Sequence, residues 1–159
     1  METRSTPRYH VAASAHIDAP ASTLYGILAD YRDGHPRILP PAFRDLQVER
    51  GGTGAGTIIR FQMRVLGQTR SVRGAVTEPE PGRVLVESYR ESDTVTTFTV
   101  DPDARGAGAT VTIETSLPGH SGLRGAVERR VVTMLLRRIY TQELALLGAA
   151  AGAARPSPA

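Results

Sequence analysis

The sequence contains no cysteine and no tryptophan, and all 19 of its basic residues are arginine. Without cysteine, disulfide bonds, thiolate zinc sites and cysteine nucleophiles are excluded. Only 5% of the residues are aromatic, and the arginines are spread along the chain from Arg4 to Arg155. Nucleic-acid-binding proteins usually concentrate basic charge on one face, with stacking aromatic side chains between the charges. The net charge of +3 therefore indicates a mildly basic, solvated surface, and we expect no nucleic-acid partner.

Long hydrophobic runs are also missing. The longest apolar stretches are far shorter than the ~20 residues that span a bilayer, and the first eight residues lack the apolar core of a signal peptide. We therefore expect no transmembrane segment and a cytoplasmic location. The 159 residues fit one domain. We expect that domain over residues 9–148, between disordered tails at 1–8 and 149–159, the second of which is rich in small residues.

The first part of the chain predicts a strand followed by small helices. Apolar and polar residues alternate from His10 to Ile17, which is typical of a strand. Asp18 and Pro20 then form a helix start signal. A helical apolar face follows, with spacings of three and four residues, at Leu24, Ile27, Leu28 and Tyr31. The segment 33–36 contains Gly and Pro and ends this helix, and a short second helical turn is expected at 37–39.

From Phe43 onward the hydrophobic period changes to two, which predicts strands. They are expected at about 43–50, 55–66, 69–78, 83–91, 94–101 and 108–117. Short turn signals such as Gly51-Gly52 separate them and indicate an antiparallel meander. The clearest strand has one buried face and one wet face, the apolar side being formed by Ile59, Phe61, Met63 and Val65.

A long helix is predicted from Ser121 to about Leu147. Two neighbouring apolar stripes run along it. The first contains Val127, Val131, either Met134 or Leu135, and Arg138. The second contains Val132, Leu136, either Ile139 or Tyr140, and Leu147. Such a helix is about 40 Å long, and its apolar face needs a large partner. We therefore predict an α+β fold in which a curved antiparallel sheet of about seven strands wraps around the long C-terminal helix, with two small helices after the first strand. The gap between sheet and helix is the expected ligand site.

Four segments in this order are similar to those of a known superfamily: Ile17–Asp30, Pro79–Leu85, Thr96–Val100 and Gly108–Ile113. Together they resemble the START-like, helix-grip superfamily, in particular its polyketide cyclase/dehydrase-like (SRPBCC) branch, over about residues 9–148. Members often carry a Trp after the first helix, where this sequence has His35–Pro41. The resemblance implies a cavity for hydrophobic ligands such as lipids, polyketides or quinones. Some members are cyclases or dehydratases, many only bind, and some act through protein partners.

Metal, nucleotide and serine-hydrolase sites are not indicated. The four histidines show no short ligand spacing, so we expect no metal and no cofactor. The glycine-rich segment 51–57 superficially suggests a phosphate cradle, but a strand follows it where a helix is needed, and a hairpin loop is favoured. No serine lies in a Gly-x-Ser-x-Gly motif.

Acid–base chemistry in the cavity depends on the orientation of one predicted strand. Leu85, Glu87 and Tyr89 share a face. If that face points inward, Glu87 and Tyr89 lie in an apolar cavity, where a buried carboxyl can shuttle protons. If it points outward, both are surface residues, and alternation alone leaves the two options open. Arg70 and Arg138 lie among apolar positions and either reach the rim or bind an anion such as a ligand carboxylate.

The predicted function is binding or carriage of a hydrophobic small molecule of lipid, polyketide or quinone type. The expected ligand-binding residues on the sheet and helix are Phe61, Met63, Val65, Phe98, Val131, Met134 and Arg138. An expected lid consists of Tyr31, Ile38, Leu39 and Phe43. One alternative is a cyclase- or dehydratase-like enzyme that uses Glu87 with Tyr89 or Arg70. A second is a protein-interaction module that uses the arginines at 129–130 and 137–138, and the chain is expected to be a monomer or homodimer.

Overall fold

The computed structural model describes residues 6–153. Its elements are β1 (Arg8–Ile17), α1 (Ala21–Ala29), a 3₁₀ turn (His35–Arg37), β2 (Phe43–Arg50), β3 (Ile58–Val65), β4 (Gln68–Glu80), β5 (Val84–Tyr89), a 3₁₀ turn (Arg90–Ser92), β6 (Thr94–Pro102), β7 (Ala109–Pro118) and α2 (Gly122–Ala153). The strands form one seven-stranded sheet in the order β1-β7-β6-β5-β4-β3-β2, and all neighbours are antiparallel. The predicted α+β fold with a curved sheet and a long C-terminal helix is confirmed.

The sheet has one face toward the helices and one toward solvent. In β7, Val111, Ile113 and Thr115 are buried, whereas Thr110 and Glu114, on the other face of the strand, are exposed. This alternation follows from the two-residue period of a strand. Each fully buried Val or Ile contributes roughly 1.5–3 kcal/mol relative to exposure, so a one-residue slip of register would be strongly unfavourable.

A capped turn after α1 fixes the position of His35. The Asp30 carboxylate accepts hydrogen bonds from the backbone N–H groups of the three residues at 32–34. Gly34 packs so closely on α1 that a Cβ there would lie 2.6 Å from the Ile27 carbonyl oxygen. His35 Nδ1 then donates to the Leu28 carbonyl oxygen at 2.7 Å. Short-range turn chemistry therefore brings a histidine under the sheet.

The glycine-rich segment is the loop between β2 and β3. Gly51, Gly52, Gly54 and Gly56 have positive φ angles, which glycine adopts without strain. The Gly54 N–H donates to the Ala29 carbonyl oxygen at 2.9 Å. These groups tie the loop to α1, in agreement with the hairpin interpretation.

Helix α2 is longer than predicted. It continues to Ala153, and Ala151 is only 1% exposed. The prediction of a disordered tail from residue 149 is wrong for 149–153, because alanine is the best helix former and its small side chains pack at the end of β1. The remaining predicted tail residues, 1–5 and 154–159, lie outside the described residues. Within 6–153, no helix is long and apolar enough to cross a membrane.

The two predicted stripes of α2 differ in how deeply they are buried. The side facing the core carries Tyr140, Glu143, Leu144, Leu147 and Ala151. Val127 and Met134, from the other stripe, are 56% and 64% exposed, and Arg138 is exposed as well. The expectation that Met134 and Arg138 face the sheet is therefore corrected. Periodicity groups residues onto a face, but it does not say which of two adjacent apolar stripes meets the sheet.

Candidate functional site

A hollow of about 40 Å³ lies between the concave face of the sheet and α2. Its lining is largely apolar and aromatic, with two carboxyl groups and one imidazole: His35, Leu39, Phe43, Leu46, Ile59, Phe61, Glu87, Tyr89, Thr96, Phe98, Tyr140 and Glu143. A few polar groups in an apolar concavity are typical of a small-molecule site.

Strand β5 points Glu87 into this pocket. Glu87 is only 4% exposed, so of the two orientations left open by the sequence the structure has the inward one. The Tyr31 hydroxyl donates to Glu87 Oε1 at 2.6 Å, and the Tyr89 hydroxyl donates to Oε2. Both carboxyl oxygens thus accept hydrogen bonds from phenols, one buried and one half-buried.

The position of Tyr89 depends on a glycine in the neighbouring strand. A Cβ at Gly74 of β4 would lie 2.7 Å from Tyr89 Cε1, so only glycine leaves room for the ring. The Phe61 ring contacts the Tyr89 ring edge-on, with 5.9 Å between the ring centroids. Burial, followed by the charge of Glu87, raises the pKa values of Tyr31 and Tyr89 well above the usual range. Both phenols therefore remain protonated donors at neutral pH.

His35 completes the polar cluster around Glu87. Its ring stacks on the Tyr31 ring, with 4.6 Å between the ring centroids. It contacts the Phe98 ring edge-on, with 5.7 Å between the centroids. Since Nδ1 is used as a donor to a backbone carbonyl, Nε2 is the nitrogen that remains for chemistry, and it lies 3.8 Å from Glu87 Oε1. A proton held on Nε2 would sit between the imidazole and the carboxylate.

Glu143 is a second buried carboxyl and faces the same pocket from α2. It is 4% exposed, and its carboxyl forms no hydrogen bond within residues 6–153. No fully buried side-chain nitrogen or oxygen lacks a partner in that range, so the free oxygens are those that reach the pocket. Burial first, and Glu87 second, raise the pKa of Glu143 well above the usual range. The raised pKa favours the protonated form of this side chain, which can donate a proton into the pocket.

A hydroxyl chain lies beside the two carboxyls. Thr96 and Thr115 share a hydrogen bond of 2.8 Å, and Thr115 is also bonded to the Tyr140 hydroxyl. Burial raises the pKa of Tyr140 to about 12. The chain ties α2 to β6 and β7 next to Glu143 and so restricts where that helix turn can lie.

The sequence-predicted site residues divide into three groups. Those that line the pocket are Leu39, Phe43, Phe61, Phe98, Glu87 and Tyr89. Those that lie behind it or beside it, buried or half-buried, are Tyr31, Ile38, Met63, Val65 and Val131. Those at the surface are Arg70, Met134 and Arg138. Arg70 is exposed because the first four residues of β4 extend past the core, and its expected place in the cavity is corrected.

Sequence reasoning missed the roles of His35 and Glu143. Glu143 did carry a signal, since it lies three residues after Tyr140 and four before Leu147 and so shares their apolar helix face. An acidic residue on a buried stripe indicates a functional or paired carboxyl. His35 carried no such signal, because the capped turn around Asp30 places it.

Other places in the described residues are less suited to bind a small molecule than this pocket is. Among residues 6–153 no group of three or more His, Asp or Glu side chains is placed to hold a metal ion. A larger groove, of about 560 Å³, lies between β1 and the C-terminal half of α2. Its ionisable groups, His16 and Asp18, have side chains that are 51% and 91% exposed. The sheet–helix pocket is therefore the candidate site.

Comparisons with known proteins agree with this architecture. Residues 8–152 match the family model described as polyketide cyclase/dehydrase and lipid transport, and the chain belongs to this family. The fold is similar to that of the KanY protein, at 25% identity and a TM-score of 0.80, over 92% of this chain and 99% of that one.

Two further solved structures share the fold. The Zhui aromatase/cyclase from Streptomyces sp. R1128 is 16% identical with a TM-score of 0.72, over 95% of this chain and 98% of that one. A START superfamily protein from Mycobacterium smegmatis is 14% identical with a TM-score of 0.73, over 92% and 99%. No curated protein sequence matches the chain. The resemblance inferred from the four sequence segments is confirmed.

Proposed function

We propose that this protein binds an apolar small molecule bearing a carbonyl or hydroxyl oxygen in the pocket between the sheet and α2. The observation that carries this proposal is Glu143, a buried carboxylic acid without a hydrogen-bond partner in residues 6–153, which faces an apolar and aromatic lining. Because the Glu143 oxygens reach the pocket, a ligand oxygen placed there can accept the Glu143 proton, and a hydrogen bond of this kind contributes about 0.5–1.5 kcal/mol. Lipids, polyketides and quinones all carry such oxygens.

The size of the pocket indicates that binding requires movement. Drug-sized ligands occupy roughly 300–1,000 Å³, whereas this hollow is about 40 Å³. Between Ala126 and Ile139 no residue of α2 is buried, so this half of the helix has few apolar contacts to lose. We expect the ligand to enter as this half of α2 moves away from the sheet, while the half that includes Tyr140 and Leu147 stays in place.

Filling the pocket should block ligand binding. The neutral fluorophore N-phenyl-1-naphthylamine serves as the apolar probe, and its emission is followed during titration. Leu39→Trp places an indole in the lining and is expected to weaken probe binding at least about tenfold, since overpacking a site costs roughly 1–3 kcal/mol. The matched control, Leu123→Trp, changes a residue that is 83% exposed and should leave binding unchanged.

Thermal unfolding of both tryptophan variants checks that each is folded. Native mass spectrometry of the purified chain tests independently for a co-purified apolar species. If the probe binds Leu39→Trp as tightly as the unmodified protein, the pocket is not the binding site and the proposal fails.

A second candidate function is cyclase- or dehydratase-like catalysis, favoured by the different environments of Glu87 and Glu143. In such a reaction a base removes a proton next to a carbonyl, a carbon–carbon bond closes, and an acid protonates the oxygen that leaves as water. Glu143 has the raised pKa that suits the acid. Glu87, with His35 Nε2 at 3.8 Å, is the candidate base. Tyr31, from the turn after α1, and Tyr89, from β5, hold Glu87 in place through their hydrogen bonds.

The variant Glu143→Gln separates binding from catalysis. The amide keeps the shape and a hydrogen-bond donor but transfers no proton. With a poly-β-ketone thioester analogue, ring formation followed by absorbance should fall by about 10²–10⁴-fold, while probe binding stays within about twofold. Glu91→Gln, at an exposed acid, is the control. If the unmodified protein accelerates ring formation no more than the Glu143→Gln variant does, it binds the ligand without catalysing its cyclisation.

A further inference from the structure

The first half of α2 presents apolar side chains to solvent, away from the pocket. Four large hydrophobic side chains are exposed among the described residues: Leu66 at 71%, Leu123 at 83%, Val127 at 56% and Met134 at 64%. The three on α2 are spaced by four and seven residues, which places them on one helix face. That face lies opposite Tyr140 and the other core-facing residues. An exposed apolar set of this kind marks an interaction surface.

Uncompensated positive charge surrounds these side chains. Between Gly122 and Ile139 the helix has one acidic residue, Glu128, and five exposed arginines: Arg124, Arg129, Arg130, Arg137 and Arg138. None of the five forms a salt bridge with the part of the chain that the structure describes. Glu128 itself contacts His120 at 3.2 Å. Two arginines in the middle of the sheet differ from these, since Arg60 and Arg73 both pair with Glu49.

The fourth exposed apolar residue lies at the same end of the molecule. Strands β3, β5 and β7 run in the same direction, because each is antiparallel to the strands between them. The hairpin tip after β3, which carries Leu66, and the start of α2 after β7 therefore point toward the same end of the sheet. Arg64 and Arg70 flank this tip and are exposed. Leu66 also has a positive φ of 52°, a conformation that disfavours leucine, so folding alone does not explain its presence.

We infer that this edge of the molecule, formed by the first half of α2 and the β3–β4 hairpin tip, docks on an anionic lipid surface. Apolar side chains would enter the headgroup boundary, and arginines would contact lipid phosphates through bidentate hydrogen bonds. The apolar side chains project singly from a helix and from a hairpin tip and do not line a groove. This arrangement suits a planar surface into which separate side chains insert. The positive charge of these arginines favours a planar surface that is anionic.

Vesicle co-sedimentation of the full chain tests the inference. The protein should bind vesicles of phosphatidylcholine with phosphatidylglycerol and should not bind pure phosphatidylcholine. Binding should fall at least about tenfold in ~1 M NaCl, where the Debye length is about 3 Å. Leu123→Ser with Val127→Ser, and separately Arg129→Ser with Arg130→Ser, should each weaken binding at least about tenfold. All four positions are exposed, so thermal unfolding should not change.

A charge-matched control distinguishes a specific patch from net charge. Arg50→Ser with Arg105→Ser removes two exposed arginines from the opposite edge of the sheet, at the end of β2 and after β6, and should leave vesicle binding unchanged. Equal loss in this control overturns the inference, as does equal binding to neutral vesicles. Absence of binding to anionic vesicles at low salt also overturns it, and an acidic protein would then be the partner that fits the patch.

Discussion

Glu87→Leu is expected to lower the free energy of unfolding by about 2–6 kcal/mol, because two phenols lose a hydrogen-bond acceptor at about 1–3 kcal/mol each. The Tyr31 and Tyr89 hydroxyls both donate to Glu87. Leucine accepts neither bond, so the buried Tyr31 and the half-buried Tyr89 lose their acceptor at once. Urea unfolding at pH 7 measures the change. The same variant should abolish probe binding, because both tyrosine rings are free to move into the pocket.

Two variants bracket this result. Glu87→Gln retains a carbonyl oxygen for one tyrosine and should cost less than the leucine variant. Glu91→Leu changes an exposed acid of the same chain and should stay within about 0.5 kcal/mol. A loss below about 1 kcal/mol for Glu87→Leu would show that the phenol–carboxylate cluster does not stabilise the fold.

Features of this cluster that depend on neighbouring residues in the sequence could be predicted, and features that depend on contacts between distant residues could not. The period of two identified Leu85, Glu87 and Tyr89 as one face of a strand, and this grouping is confirmed. The direction of the face was not available, because it is set by pairing with β4 and β6 and by the room that Gly74 leaves for Tyr89. Local patterns therefore specify which side chains act together, and tertiary contacts decide where they point.

The long helix shows the same limit. Its existence and period were predicted correctly, but two adjacent apolar stripes were both acceptable core faces. The buried stripe includes a glutamate at 143, and apolarity alone favoured the stripe with Val127 and Met134. In the structure, Val127 and Met134 of that stripe are exposed and flanked by arginines, while Val131 is half-buried. An acidic residue on a buried stripe and a basic, apolar outer face are both departures from simple patterning, and departures of this kind are expected at functional sites.

The proposed ligand pocket lies close to the surface that is proposed to contact lipid. Phe43 pairs with Met63 of β3, close to the β3–β4 hairpin. Tyr89 pairs with Thr94 of β6, next to the end of β7 after which α2 begins. Two aromatic residues of the pocket lining therefore lie near the two parts of the surface proposed to contact lipid. The half of α2 expected to move is the half that carries the exposed apolar side chains. Contact with a membrane would then favour the open position of the helix, and an apolar ligand would enter without crossing water.

Glu143→Gln is expected to stabilise the protein at neutral and alkaline pH and to flatten the pH dependence of its unfolding. The pKa of Glu143 is raised in the folded state, first by burial and then by Glu87. Below the unfolded pKa of about 4.3, both states hold the proton and the effect on stability is absent. As the pH rises toward the folded pKa, the unfolded state releases the proton more readily, so the unmodified protein loses stability.

The measurement is the difference in free energy of unfolding between Glu143→Gln and the unmodified chain from pH 4 to 8. It should be near zero at about pH 4 and reach about 1–3 kcal/mol in favour of glutamine at about pH 8, the scale for relieving a buried group of its desolvation cost. Glu91→Gln should show no such trend. A difference that is constant with pH would mean that Glu143 titrates normally, and neither the donor role in binding nor the acid role in catalysis would then hold.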